Sequence, residues 1–156
     1  MSFDRDTDKF RTFGRAKGRR LSPHMQAVWD EVFPKLKWDI SAPLPIGALW
    51  LEIGFGGAEH LLWQAEHYPD IHLIGAEPFL NGMAKAVRGA YGSNLENLSL
   101  HHGDVRDLLE ALPDGSLSKI FVLFPDPWPK ARHHKRRLLR SKFIAELHRV
   151  LSLIHI

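Results

Sequence analysis

The sequence predicts one α/β domain: a parallel sheet of about four strands joined by right-handed helical crossovers. Three observations carry that expectation. Apolar runs and amphipathic segments alternate four times between Ala48 and Leu151. The first apolar run opens directly into a glycine turn, Gly54-Phe-Gly-Gly57. The last one, Ile120–Phe124, stops against three prolines at alternate positions, Pro125, Pro127 and Pro129. At 156 residues and 44% hydrophobic, the chain has enough apolar surface for a single core.

Residues 1–20 lack periodicity and read as a flexible basic arm, with Arg15, Lys17, Arg19 and Arg20 spaced by Gly14 and Gly18. Such an arm can order on RNA. Ser22-Pro23 is a helix start, a serine cap followed by proline at the first helical position. Met25, Val28, Trp29 and Val32 then share one face that packs on the body, until Pro34 ends or kinks the helix. Ala48–Ile53 reads as a buried strand, and a helix takes over from about Ala58 to Tyr68. Strand Ile71–Ala76, a helix near Asn81–Ala90, strand Leu98–His101 and a helix near Val105–Ala111 follow. Ile120–Phe124 reads as a buried strand of a parallel sheet. Alternate prolines after it forbid both helix and ladder pairing, so Asp126 and Trp128 sit on a stiff ledge at the strand's carboxyl end. A helix from about Lys135 or Ser141 to Leu151 closes the pattern, with Phe143, Ile144, Leu147 and Val150 on one face. The domain proper is thus expected over residues 21–151, with 152–156 as an atypical tail.

Charge is distributed unevenly. Residues 1–20 carry seven Lys and Arg against three acids, residues 21–129 six against fourteen, and residues 130–156 eight against one. An acidic body between two basic segments points to a polyanionic partner. No apolar run reaches the roughly 18 residues of a membrane span, and the charged N-terminus does not read as a signal peptide. The chain has no cysteine, which excludes disulfides and thiolate metal sites and is compatible with the cytoplasm. His101-His102 and His133-His134 do not form a metal site, because adjacent histidines point apart and no further ligand has suitable spacing.

The first strand-to-helix turn, Glu52-Ile-Gly54-Phe-Gly56-Gly57, lets a ligand approach the backbone. The position three after Gly56 is Glu59, so the dinucleotide fingerprint fails. Glu52 would repel phosphates but suits a cation. Glu77 ends the second strand where an acid accepts the two hydrogen bonds of a ribose diol. Asp104 ends the third and can meet an adenine amino group. Three acids after three successive strands suit S-adenosyl-L-methionine, an adenosine-bearing cation without phosphate.

These residues resemble the bacterial tRNA (guanine-N7)-methyltransferases, which methylate guanosine 46 in the variable loop of tRNA. The resemblance runs from about Phe13 to Val150 and includes Arg15-Ala-Lys-Gly-Arg19, Glu52-Ile-Gly-Phe-Gly56, Gly75-Ala-Glu77-Pro, Gly103-Asp104 and Pro125-Asp-Pro-Trp-Pro-Lys-Ala-Arg-His-His-Lys-Arg-Arg137. It implies a Rossmann-like methyltransferase fold and S-adenosyl-L-methionine as cofactor, with S-adenosyl-L-homocysteine as product. It implies that Glu52, Glu77, Asp104 and Asp126 contact or surround the cofactor. Asp126 is then the catalytic residue and Lys130 a tRNA contact, in a cytoplasmic monomer or homodimer. Past Val150 the family continues with a Pro-Gly-Gly turn and further strands. Leu151–Ile156 departs from that pattern, so the sheet is expected to be incomplete, with Ile120–Phe124 as an exposed edge prone to self-association.

Guanine N7 has an in-plane lone pair, so methylation there demands alignment more than proton removal. Asp126 would stabilise the charge that moves onto the purine and accept from guanine N1–H and the exocyclic amine. Trp128 would either stack on a splayed nucleotide or pack under the ledge. Lys130, Arg132, Lys135, Arg136 and Arg137 would hold phosphates, aided by Arg15 and Arg19 of the arm. The alternatives are a cofactor- and tRNA-binding fragment without catalysis, and an amino-group methyltransferase, since Asp-Pro-Trp loosely resembles the Asp/Asn-Pro-Pro-aromatic loop of those enzymes.

Overall fold

The computed structural model describes Ala16 and residues 18–152. Arg15, most of the basic arm and the tail beyond Ser152 lie outside the described residues. Helix α1 spans Pro23–Leu36, and the Ser22 side chain accepts from the Met25 amide at 3.3 Å, as a serine cap should. Pro34 neither ends nor breaks it. It lies in the last turn, where only its own N–H is lost, and the Lys37 amide still closes on the Phe33 carbonyl at 2.8 Å.

Four parallel strands follow: β1 Leu49–Ile53, β2 His72–Ala76, β3 Leu98–His101 and β4 Lys119–Val122. Their order across the sheet is β3-β2-β1-β4. The chain therefore moves outward from β1 to β3, then crosses back to the other side of β1. With one handedness of crossover, that reversal puts the connecting helices on opposite faces. Helices α2 (Glu59–His67) and α3 (Leu80–Ser93) join α1 over a core containing Val32, Leu61, Met83, Val87 and Leu100. Helices α4 (Val105–Ala111) and α5 (Ser141–Val150) cover the second core, around Leu51, Ile74, Leu108, Leu117 and Val150. Every residue of β1 is buried, as expected for a strand covered on both faces.

The two edges differ. Beyond β3, Lys37 forms a parallel bridge with Leu100, and the Trp38 amide donates to the Leu100 carbonyl at 2.8 Å, so the chain after α1 seals that edge. At the other edge, β4 is shorter and less buried than its sequence predicts. The expected buried strand Ile120–Phe124 is in fact Lys119–Val122, half-buried and exposed at its first residue. Leu123 and Phe124 have already left the ladder. Phe124 adopts a left-handed backbone (φ 50°) and is 97% exposed. An apolar run is buried only where something packs on it, and among the described residues β4 pairs with β1 alone.

Candidate functional site

All four strands end at one cleft. Its walls include Gly54 after β1, Glu77 to Phe79 after β2, Gly103 to Arg106 after β3, and Leu123 to Asp126 after β4. The fifth wall is Lys135 to Leu138 with Lys142, Phe143 and Glu146 of α5. The cleft measures about 330 Å³, within the range of small-ligand sites. It lies where the strand order reverses, the expected position in an open α/β sheet.

The glycine turn and Glu77 are built as one unit. Glu77 is buried, and its carboxylate accepts from the Gly56 amide and from the Phe79 amide, both at 2.9 Å. Two backbone donors satisfy this buried carboxylate. They also tie the turn after β1 to the end of β2. Gly54 (φ 69°) has no atom within 4 Å of a would-be Cβ, so its backbone lies open toward the cleft. A Cβ on Gly82 of α3 would meet the Gly56 carbonyl oxygen at 2.3 Å. Helix and turn are in contact there because position 82 is glycine.

Asp104 caps α4, accepting from the Arg106 amide at 3.0 Å, and its carboxylate pairs with the Arg106 guanidinium, which also lines the cleft. Glu52 lies deeper. It is 2% exposed and does not line the cleft; its partner is His60, with Nδ1 at 2.8 Å. Gln64 Nε2 meets the other ring nitrogen at 3.0 Å, and the Phe121 ring packs edge-on against the imidazole. Burial pushes the Glu52 carboxyl up, and His60 opposes that shift. His60 and Gln64 escaped the sequence reading because a contact from β1 across the turn to α2 belongs to no short motif.

The proline ledge carries no regular structure, and Asp126 on it is exposed and lines the cleft. Trp128 is half-buried and engaged within the chain. His133 lies edge-on to its ring at 5.6 Å and the Arg136 guanidinium lies over it at 5.0 Å. Packing rather than an open stacking face is thus the arrangement found. The basic run forms a short 3₁₀ helix, Ala131–Arg136, separate from α5. Lys135, Arg136 and Arg137 turn into the cleft wall, whereas Lys130 and Arg132 are exposed and do not line it. Arg137 Nε donates to the Pro127 carbonyl at 3.0 Å. Arg19 lies against the start of α3, its carbonyl accepting from Asn81 Nδ2 at 3.1 Å. Arg106, Lys142 and Glu146 were also missed; they come from helix first turns and faces whose composition reads as ordinary solvated surface.

The cleft therefore has an acidic side at the ends of β2 and β3 and a basic side along the 3₁₀ helix and α5, with Asp126 between them. Residues 47–154 match a protein family described as “Putative methyltransferase”. A tRNA (guanine-N(7)-)-methyltransferase of Caulobacter sp. (strain K31) is 48% identical over 148 residues, covering 91% of this chain and 66% of that protein. One of Ruegeria sp. (strain TM1040) is 46% identical over 154 residues, covering 90% and 60%. The chain thus spans a little under two thirds of these relatives' length. Among solved structures, a SAM dependent methyltransferase from Aquifex aeolicus aligns with a TM-score of 0.52 at 18% identity, over 85% of this chain and 69% of that one. PKMT2 from Rickettsia typhi, in complex with AdoHcy, aligns with a TM-score of 0.54 at 20% identity, over 85% and 23%. The shared feature with these two is the fold.

Proposed function

The chain belongs to the methyltransferase family matched across residues 47–154, and on that premise we propose that it serves S-adenosylmethionine-dependent methylation of guanine N7 in tRNA, at guanosine 46 of the variable loop. The observation that carries this reading is the placement of Asp126 on a proline-stiffened ledge, in the same cleft as Glu77 and the open Gly54 backbone. The donor set fits the cofactor: acids at the ends of β2 and β3, an unobstructed glycine and apolar walls suit a nucleoside that carries cations and no phosphate. Bound there, S-adenosylmethionine supplies a methyl group activated by a positively charged sulfur.

The chain's own residues do the rest. Glu77, held by two amides, keeps acceptor capacity for ribose hydroxyls. Asp104, paired with Arg106, accepts from the adenine amino group. Glu52 lies beneath the turn, bonded to His60. Asp126 accepts from guanine N1–H and the exocyclic amine, which aligns the N7 lone pair, and its charge favours the positive purine that forms. No proton has to leave N7, so Asp126 acts by orientation and electrostatics. Lys130 and Arg132 on the outer lip, with Lys135, hold phosphates of the tRNA, and Arg15 and Arg19 extend that basic track from the arm.

Asp126→Ala tests the assignment. It should abolish formation of 7-methylguanosine in tRNA, read by nuclease digestion and mass spectrometry, while tRNA affinity stays within a few-fold. Turnover near that of the unsubstituted protein would sink it.

A further inference from the structure

We propose that Arg136 and Arg137 are positioning residues for the Asp126 ledge and not contacts to tRNA phosphate. The inference rests on the function proposed above and goes further, because it divides the basic run into two groups with different work. Sequence alone makes Lys130, Arg132, Lys135, Arg136 and Arg137 one charged run. In the fold they separate.

The ledge needs holding. It leaves β4 at Val122 and has no ladder partner among the described residues, and two of its residues, Phe124 (φ 50°) and Trp128 (φ 38°), adopt left-handed backbone conformations unfavourable for bulky side chains. Both precede a proline, which fixes the next φ and supplies no N–H. A segment with strained dihedrals and few backbone donors keeps its shape only when side chains impose it. Two do so here. The Arg136 guanidinium lies over the Trp128 ring at 5.0 Å, on the residue where the backbone is most unusual. Arg137 donates through Nε to the carbonyl of Pro127 at 3.0 Å, the residue next to Asp126. His133 completes the clamp from the ring edge. The 3₁₀ helix that carries them is itself closed by the His133 amide on the Lys130 carbonyl at 2.7 Å and the Arg137 amide on the His134 carbonyl at 3.1 Å.

Chemistry also separates the residues. Stacking on an indole and donating through a directed Nε–H both require a planar guanidinium, and lysine can do neither in the same way. Lys130 and Arg132, by contrast, do not line the cleft, as a phosphate contact with a long flexible side chain need not.

The test uses the whole 156-residue chain labelled with 5-fluorotryptophan, the Trp128 resonance being assigned with Trp128→Phe. Arg136→Lys and Arg137→Lys should each shift or broaden that ¹⁹F line; an unmoved line in both overturns the proposal. In parallel, tRNA binding is titrated with salt. Arg136→Gln and Arg137→Gln should leave the slope of log K against log salt unchanged, while Lys130→Gln and Arg132→Gln lower it by about 0.7–0.9 each. A slope lowered by the Arg136 and Arg137 variants overturns the proposal in favour of phosphate contact. Single-turnover methylation at saturating tRNA should fall at least tenfold in both lysine variants. If the unsubstituted chain forms no 7-methylguanosine, the functional reading fails, and the ¹⁹F and salt measurements still decide the role of the two arginines.

Discussion

Replacing Gly82 by alanine should loosen the glycine turn where it touches α3. Gly82 lies in the first turn of α3, where alanine is normally the better residue by about 1 kcal/mol. Its Cβ, however, would stand 2.3 Å from the Gly56 carbonyl oxygen, while contacts below 3.0 Å essentially do not occur, so helix or turn must move by at least 0.7 Å. The obstacle is backbone and cannot rotate away. Gly56 is also the residue whose amide bonds the buried Glu77 carboxylate at 2.9 Å, and a displacement of that size strains or breaks the bond. Overpacking costs about 1–3 kcal/mol and a lost bond to a buried charge about 1.5–3, so after a helix-propensity gain of about 1 the net loss is about 1.5–5 kcal/mol. For a chain of this size that lowers Tm by on the order of 10 °C. Gly92→Ala provides the control within the same helix, since its Cβ meets nothing within 4 Å. It should leave Tm unchanged or raise it slightly. Thermal melts of the two variants, with cofactor titration by calorimetry, decide the matter. Equal stability of Gly82→Ala and Gly92→Ala would refute the coupling of α3, turn and Glu77.

Two further outcomes follow from the rest of the fold. Arg149 reaches from α5 to the Leu109 and Leu112 carbonyls and to Asp114 and Glu146, at 2.7 to 3.0 Å. Arg149→Ala should therefore cost about 2–3 kcal/mol in urea unfolding, and Arg149→Lys should recover only part of it. Burial lowers the pKa of His72, which bonds Ser99 Oγ at 2.8 Å. The unfolded chain then takes up this proton more readily than the folded one, so stability is complete above about pH 6.5 and declines as pH falls through that value. His72→Gln should make that decline shallower between pH 7 and 5.

The fold was legible in the sequence wherever hydrophobic period and punctuation agreed. Leu98–His101 and Val105–Ala111 stand as expected because an apolar run and a capping Asp104 mark them. The run Ile120–Phe124 departs from expectation at its end, since an apolar sequence signals burial without saying what covers it, and among the described residues Phe124 stays exposed. In the candidate site, Gly54, Glu77, Asp104 and Asp126 are each singled out by strand-end position, and the fold brings all four to one cleft. Glu52 was expected to face a cation and instead bonds His60 beneath the turn. Charge type was readable there; the direction of the side chain was not. The same limit applies to Arg136 and Arg137, whose charge is evident in the sequence and whose contacts with Trp128 and Pro127 are set by the tertiary path of the ledge.

The two cores on opposite faces of the sheet have a consequence for synthesis of the chain. The core under α1, α2 and α3 draws its buried residues from Val32 to Leu100. The opposite core needs Phe143 and Val150 as well as Val105 to Leu117. A growing chain can thus cover one face of β1 and β2 while Leu49, Leu51, Ile53 and Ile74 on the other still face water. At about 5–20 residues per second, the roughly 50 residues from Leu100 to Val150 take roughly 2–10 s to arrive. During that interval the nascent sheet is a one-sided structure, and its open face is the one on which the basic wall of the cleft will later be assembled.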